Sequence, residues 1–251
     1  MKDHVGIWLV REQSEDIGRF LETRLGGTLY RPWKNATPQK EQFKTVFLQY
    51  PRWVLVMTAG IATRFIDGSI HDKHTDPAVV VLDEACRFAI SLLGGHEAGG
   101  NELVYRVANA VGATPVVTTA TEALKPLVVG IGCRKGVTAD RIGRAVLHAL
   151  GARTMEDVRE VATIGLKAEE PGLMRFCAQN NIPLRVIATE RVAARAWVTQ
   201  ASEWVRKNAG VNGVCEPCAL IACTRGRLVV PKTALDGVAV AVVEDSYRFE
   251  S

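Results

Sequence analysis

Long apolar runs are missing from this chain. Runs such as Ala78–Leu82 are far shorter than the roughly 20 residues that a membrane-spanning helix needs. Residues 5–10 are apolar, but Arg11 follows them at once, so they do not form the apolar region of a signal peptide. We therefore expect a cytoplasmic protein with no membrane partner.

The sequence also has little excess charge and few cysteines. Its 31 Lys and Arg residues oppose 27 Asp and Glu residues, a net charge of +4, and the basic residues form no blocks. This argues against a nucleic-acid partner and suits a small anionic ligand. The six cysteines are typical of reduced thiols. Cys215 and Cys218 form a CxxC with no second pair at zinc spacing, so a helix of small residues is favoured over a metal or redox site.

The fold class follows from the alternation of short β-like runs with longer helical segments, which is typical of α/β proteins. A length of 251 residues fits one large domain or two small ones, and the pattern restarts near residues 123–126. We predict two small α/β domains with mixed or parallel sheets, residues 1–122 and 126–251. The expected strands lie at 5–10, 53–57, 78–82, 88–93, 114–118, 127–131, 161–164, 184–187, 228–230 and 238–243.

Two glycine-rich or charged loops in the first domain could carry chemistry. Residues 64–76 include the cations Arg64 and Lys73, two histidines and three aspartates, among them Asp76. Such a loop suits anion binding and proton transfer, although a solvated surface loop is the alternative. Residues 94–100 place His96 among four glycines before a helix that begins near Asn101, whose free N–H groups could bind an anion. We expect each loop to follow a strand.

A third loop is expected in the second domain. Residues 130–136 read Gly-Ile-Gly-Cys-Arg-Lys-Gly, so that Gly132 to Gly136 form a basic turn before a helix. The spacing fits a dinucleotide-binding loop poorly, and the turn suits a carboxylate or a phosphate. Cys133 lies beside Arg134 and Lys135, which predicts a lowered thiol pKa. Lys167 follows a later strand.

These loops, in this order, resemble the CbiG family. The N-terminal resemblance rests on residues 60–64, 72–79, 83–84, 90–96, Asn101 and 118–121, and the C-terminal resemblance on 130–136, Lys167, Glu170, 172–173, Glu216 and 239–241. The second part is also similar to the stand-alone protein CobE. Typical members carry a middle region between the two parts, which is nearly absent here, and Glu122 stands where members commonly have Asp.

The resemblance implies a cobalt-precorrin-5A hydrolase of anaerobic cobalamin biosynthesis. Such an enzyme opens the ring A δ-lactone of an anionic cobalt tetrapyrrole and releases acetaldehyde. The cobalt belongs to the substrate, so neither a cofactor nor a protein-bound metal is expected. A homodimer and contacts with other enzymes of the pathway are left open.

Roles for individual residues combine this chemistry with position. We expect His96 to act as base or acid, oriented by Asp76 or Glu84, and the helix start at Gly99, Gly100 and Asn101 to stabilise the oxyanion. The expected substrate contacts are Arg64, Lys73, Gly132, Cys133, Arg134, Lys135 and Lys167. Two alternatives stay open, a non-catalytic tetrapyrrole carrier and a nucleotide-dependent Rossmann-like enzyme.

Overall fold

A computed structural model describes residues 4–195 and 197–245 of the chain. The chain divides into two compact units, Met1–Thr119 and Ala120–Ser251. The division falls slightly before residue 122, where we expected the first domain to end, since the short helix at 120–123 groups with the second unit. Within the described ranges, no helix is long and apolar enough to cross a membrane.

Unit 1 contains a six-stranded sheet in the order β2-β1-β3-β4-β5-β6. The pairs β1–β2, β1–β3, β3–β4 and β5–β6 are parallel, whereas β4–β5 is antiparallel. The elements are β1 (Val5–Leu9), α1 (Glu15–Leu25), β2 (Thr28–Tyr30), α2 (Gln39–Val46), β3 (Arg52–Val56), α3 (Ala59–Ile66), β4 (Ala78–Leu82), β5 (Phe88–Leu93), α4 (Gly100–Val111) and β6 (Thr114–Val116).

Helices cover both faces of this sheet, which explains the uninterrupted valines of β4. Successive side chains of a strand point to opposite faces. Val80 and Leu82 accordingly pack with α1 and α4, while Val79 and Val81 pack with α2 and α3. A strand buried on both faces reads as a continuous apolar run, as this one does.

Unit 2 contains a five-stranded sheet in the order β10-β11-β7-β8-β9. The strands β7, β8 and β9 are parallel, and β11 pairs antiparallel with both β7 and β10. The elements are α5 (Ala120–Ala123), β7 (Leu127–Cys133), α6 (Ala139–Leu150), β8 (Val158–Ile164), α7 (Pro171–Gln179), β9 (Leu184–Ile187), α8 (Thr189–Ala194), α9 (Glu203–Ala209), α10 (Cys215–Ala222), β10 (Arg227–Leu235) and β11 (Val238–Glu244). Helices α6 and α7 cover one face and α8 and α10 the other.

These sheets confirm the predicted fold class, two small α/β units with mixed sheets. Residues 231–235, which lie between the strands expected at 228–230 and 238–243, continue strand β10. Pro231 is tolerated in β10 because β10 is an edge strand. Asp236 and Gly237 both have positive φ and form the two-residue turn of the β10–β11 hairpin.

Candidate functional site

Two of the predicted loops lie at one edge of the unit 1 sheet. Residues 67–77 lead into β4 and residues 94–99 follow β5. Because β4 and β5 are antiparallel, the start of one lies beside the end of the other, and Val79 pairs with Leu93. Lys73 Nζ lies 3.6 Å from Glu97 Oε1, an ion pair that joins the two loops. The sequence therefore predicted two loops that the structure brings together.

The position of the first loop differs from expectation. It follows helix α3 and not a strand, and Arg64 lies exposed in the last turn of that helix. Asp76 is only 4% exposed. Its carboxylate accepts the backbone N–H groups of His71 (2.9 Å) and Asp72 (3.1 Å). Asp76 thus fixes the shape of the loop that carries Lys73.

Glu84 was wrongly expected near His96. It lies in the turn between β4 and β5, at the sheet edge opposite the one from which residues 94–99 leave. Its carboxylate accepts hydrogen bonds from Arg11 Nε (2.9 Å) and Ser14 Oγ (2.6 Å). The hydrogen bond from Arg11, followed by that from Ser14, holds the pKa of Glu84 below its usual range against partial desolvation. Glu84 therefore tethers the β4–β5 turn to the segment after β1.

The start of helix α4 also differs from the anion site that we expected. The N–H of Gly100 donates to the carbonyl of Gly94 (3.0 Å), and the N–H of Asn101 donates to that of Gly95 (2.8 Å). Both N–H groups are thus hydrogen-bonded within the loop, which turns back onto the helix start with Gly94 at positive φ. They are not free to bind an anion. The side chain of Asn101 remains a polar group of this edge, with Nδ2 donating to Thr119 Oγ1 (3.0 Å).

His96 is exposed at the tip of the same loop, beside the exposed Glu97. The pKa of Glu97 is lowered by its own backbone N–H and then by the charges of Lys73 and His96. Glu97, the residue that follows His96 in the sequence, was not among the predicted site residues, although its carboxylate feels the charge of His96. Nor was Arg52, whose guanidinium lies under Gly99, so close that a Cβ there would be 2.8 Å from Nη2. No motif distinguishes that arginine at the start of a strand.

In unit 2, residues 130–133 of the predicted glycine loop are strand, and residues 134–136 form the expected turn. Gly132 and Cys133 continue β7 and pair with Ala239 and Val238 of β11. A Cβ at Gly130 would lie 2.7 Å from the carbonyl carbon of Cys215, and one at Gly132 would lie 3.2 Å from Val214 Cβ. These glycines thus let the start of α10 pack directly on β7. Gly132 is therefore not a ligand-cradling residue, and the hypothesis of a dinucleotide-binding loop is wrong.

Cys133 does not have the lowered pKa that its basic neighbours suggested. The side chain belongs to the core of unit 2. Desolvation raises the pKa of this thiol to about 11, opposed by the charge of Lys167 and reinforced by that of Glu170. Arg134 and Lys135 are exposed beyond the strand and face water.

The basic turn of unit 2, residues 134–137, lies where β7 ends. Lys167, in the 3-10 turn Gly165–Lys167 after β8, forms a 3.1 Å ion pair with Glu170. Parallel strands β7 and β8 place these residues at the same edge, the carboxyl edge where open α/β sheets usually bind ligands. Arg134 and Lys135 are thus exposed cations at this edge, whereas Lys167 is paired with the Glu170 carboxylate.

The cysteines of the CxxC lie in the apolar interior of unit 2. Cys215 and Cys218 belong to α10 as predicted, both are buried, and burial raises the pKa of each thiol, that of Cys215 to about 12. Among residues 4–195 and 197–245, no group of three or more His, Cys, Asp or Glu side chains is arranged to hold a metal ion.

These features define a two-unit α/β protein with a basic, glycine-bordered edge on each sheet. Residues 41–122 match the family model described as "Cobalamin synthesis G N-terminal", and residues 127–243 match "Cobalamin synthesis G C-terminus". The chain belongs to the CbiG family, as its sequence motifs predicted.

Several named proteins are similar to the chain. The chain is 43% identical over 79 residues to a cobalt-precorrin-5A hydrolase of Salmonella typhimurium, which covers 32% of this chain and 22% of that protein. It is 24% identical to the "Probable cobalt-precorrin-5A hydrolase" of Methanocaldococcus jannaschii, over 77% of this chain and 85% of that one. A crystal structure of CobE, from the cobalamin biosynthetic pathway, aligns at 24% identity over 47% of this chain and 89% of its own, with a TM-score of 0.45. The match thus spans about a fifth of the first relative's length.

Proposed function

We propose that this protein hydrolyses cobalt-precorrin-5A, opening the ring A δ-lactone and releasing acetaldehyde to give cobalt-precorrin-5B. The observation that carries the proposal is the match of both halves to the two parts of one family, together with the activity named for its relatives. The cobalt ion enters with the substrate. Reaction in the cytoplasm remains a prediction, as do a homodimer and contacts with other enzymes of the pathway.

Lactone opening needs a base that activates water, and His96 is our candidate. Its imidazole is exposed and can reach a bound substrate. The neighbouring carboxylate of Glu97 would stabilise the imidazolium that forms when His96 takes a proton. The side-chain amide of Asn101 is our candidate for an oxyanion donor at the helix start, since the backbone N–H groups of Gly100 and Asn101 are already paired. Its Nδ2 donates one hydrogen to Thr119 and carries a second N–H.

The peripheral acetates and propionates of the macrocycle need cations. Arg64 and Lys73 supply them in unit 1, and Arg134 and Lys135 supply them in unit 2. Exposed side chains of this kind bind carboxylates through charge-assisted hydrogen bonds. We propose that the unit 2 cations mainly hold the substrate and that the His96 loop carries the chemistry.

The decisive experiment measures acetaldehyde released from cobalt-precorrin-5A by the purified protein. We expect release by the wild type and a loss of about 10²–10⁴-fold in kcat for His96→Ala, the usual contribution of a general base. His148→Ala, which removes an exposed histidine from the last turn of α6, is the matched control and should retain full activity. Full activity of His96→Ala would refute the assignment of the base.

The same assay separates the hydrolase from a carrier. Stable binding of the cobalt tetrapyrrole with no aldehyde released would refute the hydrolase and favour a binding protein of the same pathway. Arg134→Ala should weaken substrate binding and leave kcat nearly unchanged, because its guanidinium is assigned to uniform binding.

A further inference from the structure

The carboxylate of Glu170 connects two parts of the unit 2 carboxyl edge. The residue is 7% exposed. Its Oε1 accepts the N–H of Gly136 (2.8 Å), and its Oε2 accepts a hydrogen bond from Lys167 Nζ (3.1 Å). One buried side chain thus joins the turn after β7 to the turn after β8. A mere complement to the helix dipole of α7 would not need these two partners.

The turn at 134–137 is held at two further points. The N–H of Arg134 donates to the carbonyl of Gly237 (3.0 Å), in the turn of the β10–β11 hairpin. At the other end, Gly172 packs against the backbone of Val137, where a Cβ would lie 2.9 Å from the carbonyl carbon. The backbone that presents Arg134 and Lys135 is therefore held at three points, and among these three contacts only the one to Glu170 involves an ionisable group.

We infer that Glu170 is a positioning residue for anion binding: it fixes the turn so that Arg134 and Lys135 are preorganised for a polycarboxylate. The choice of a polycarboxylate rests on the proposed function. We had expected Lys167 to contact substrate. Its ammonium is instead paired with the buried carboxylate of Glu170 and so helps to hold that side chain in place. Fixing a binding loop beforehand reduces the entropy lost when the ligand binds, and affinity rises accordingly.

The structure offers a close control for this role. Glu169 precedes Glu170 and is exposed, so Glu169→Gln and Glu170→Gln make the same change in net charge one residue apart. Glu170→Gln keeps an oxygen that can accept the Gly136 N–H but loses the ion pair with Lys167. Glu170→Ala loses both partners. General attraction of an anion rises equally in the two glutamine variants, whereas the geometry of the turn changes in only one.

The test measures the affinity of each variant for cobyrinic acid, a cobalt corrinoid with free peripheral carboxylates, by calorimetric titration. Glu170→Ala should weaken binding about tenfold, the effect expected from losing a charge-assisted hydrogen bond. Glu170→Gln should weaken binding by less, and Glu169→Gln should bind at least as tightly as the wild type. Thermal unfolding identifies folded variants, and Glu170→Gln decides the matter if Glu170→Ala does not fold.

A double-mutant cycle shows whether Glu170 acts through the turn. In a variant that carries both Arg134→Ala and Lys135→Ala, replacing Glu170 should change affinity less than twofold, because the two cations that the turn positions are absent. Tighter binding by Glu170→Gln than by Glu169→Gln would overturn the inference, since it would mean that freed Lys167 contacts the ligand. Additive effects in the cycle would overturn it too. Acetaldehyde release is a separate readout, so failure of the hydrolase proposal leaves this comparison of affinities intact.

Discussion

Replacing Gly130 with alanine tests whether the glycines of β7 serve packing or ligand binding. The added Cβ would overlap the carbonyl oxygen of Cys215 and lie 2.7 Å from its carbon and 3.0 Å from Ala219 Cβ. The obstacle is the backbone of α10, which cannot rotate away as a side chain can. Overpacking a core costs about 1–3 kcal/mol, and we expect Gly130→Ala to lose about 2–3 kcal/mol of unfolding free energy.

Gly143→Ala is the matched control, because it makes the same substitution in the same unit with room for the methyl group. Gly143 lies inside α6, and its Cβ would be 3.8 Å from the Phe176 ring, an ordinary contact. Glycine in a helix interior costs about 0.5–1 kcal/mol relative to alanine, so this variant should gain that amount. The two variants should therefore change the free energy of unfolding in opposite directions and differ from each other by about 3 kcal/mol, a large part of the stability of an ordinary domain.

Urea unfolding followed by far-UV circular dichroism measures both changes, and calorimetry checks the order of the melting temperatures. If Gly130→Ala unfolds like the wild type but binds a corrinoid more weakly, the packing explanation fails. The glycine would then serve close approach of a ligand.

Three further predictions concern other residues. Asp76→Asn should destabilise the 67–77 loop by about 1–3 kcal/mol, because a neutral amide accepts the His71 and Asp72 N–H groups less strongly, and hydrogen exchange at those amides should rise. Cys133 should resist iodoacetamide at pH 8 and react on unfolding, because a thiol with a pKa of about 11 stays protonated well above neutrality; mass spectrometry of the labelled peptide would show rapid native labelling if this is wrong. Glu84→Ala should leave acetaldehyde release unchanged while lowering the melting temperature, since its carboxylate binds Arg11 and Ser14 at the edge away from His96; a loss of kcat would contradict that placement.

Local patterns predicted most of the fold. The strands expected at 78–82 and 88–93 are β4 and β5, which pair with each other. The helix expected after the basic turn is α6, and the hydroxyl of Thr138 caps it by accepting the Arg141 N–H. The short strand β2 and helix α2 were not predicted. Three residues of β2 give too little periodicity, and α2 lacks a side-chain cap at Pro38.

The candidate site was predicted less well, for reasons of geometry. Glycine in a strand can admit a ligand or a packed helix, and the sequence around Gly132 does not distinguish the two. Because β4 and β5 are antiparallel, the turn that carries Glu84 lies at one end of the pair and the His96 loop at the other end. Glu170 carries no signal of its own beyond the family motif, because an acidic residue before a helix is usually a complement to the helix dipole.

The antiparallel pairing of β5 with β4 determines how far apart two loops of unit 1 lie. The segments carrying Lys73 and His96 leave the same end of a single hairpin, whose paired Cα atoms are about 5 Å apart. Their spacing is therefore set by the register of two neighbouring strands and owes little to the remaining helices. An insertion or deletion of one residue within that hairpin would shift the two segments past each other, whereas a change of length in the Asp83–Arg87 turn, at its far end, would leave them in place.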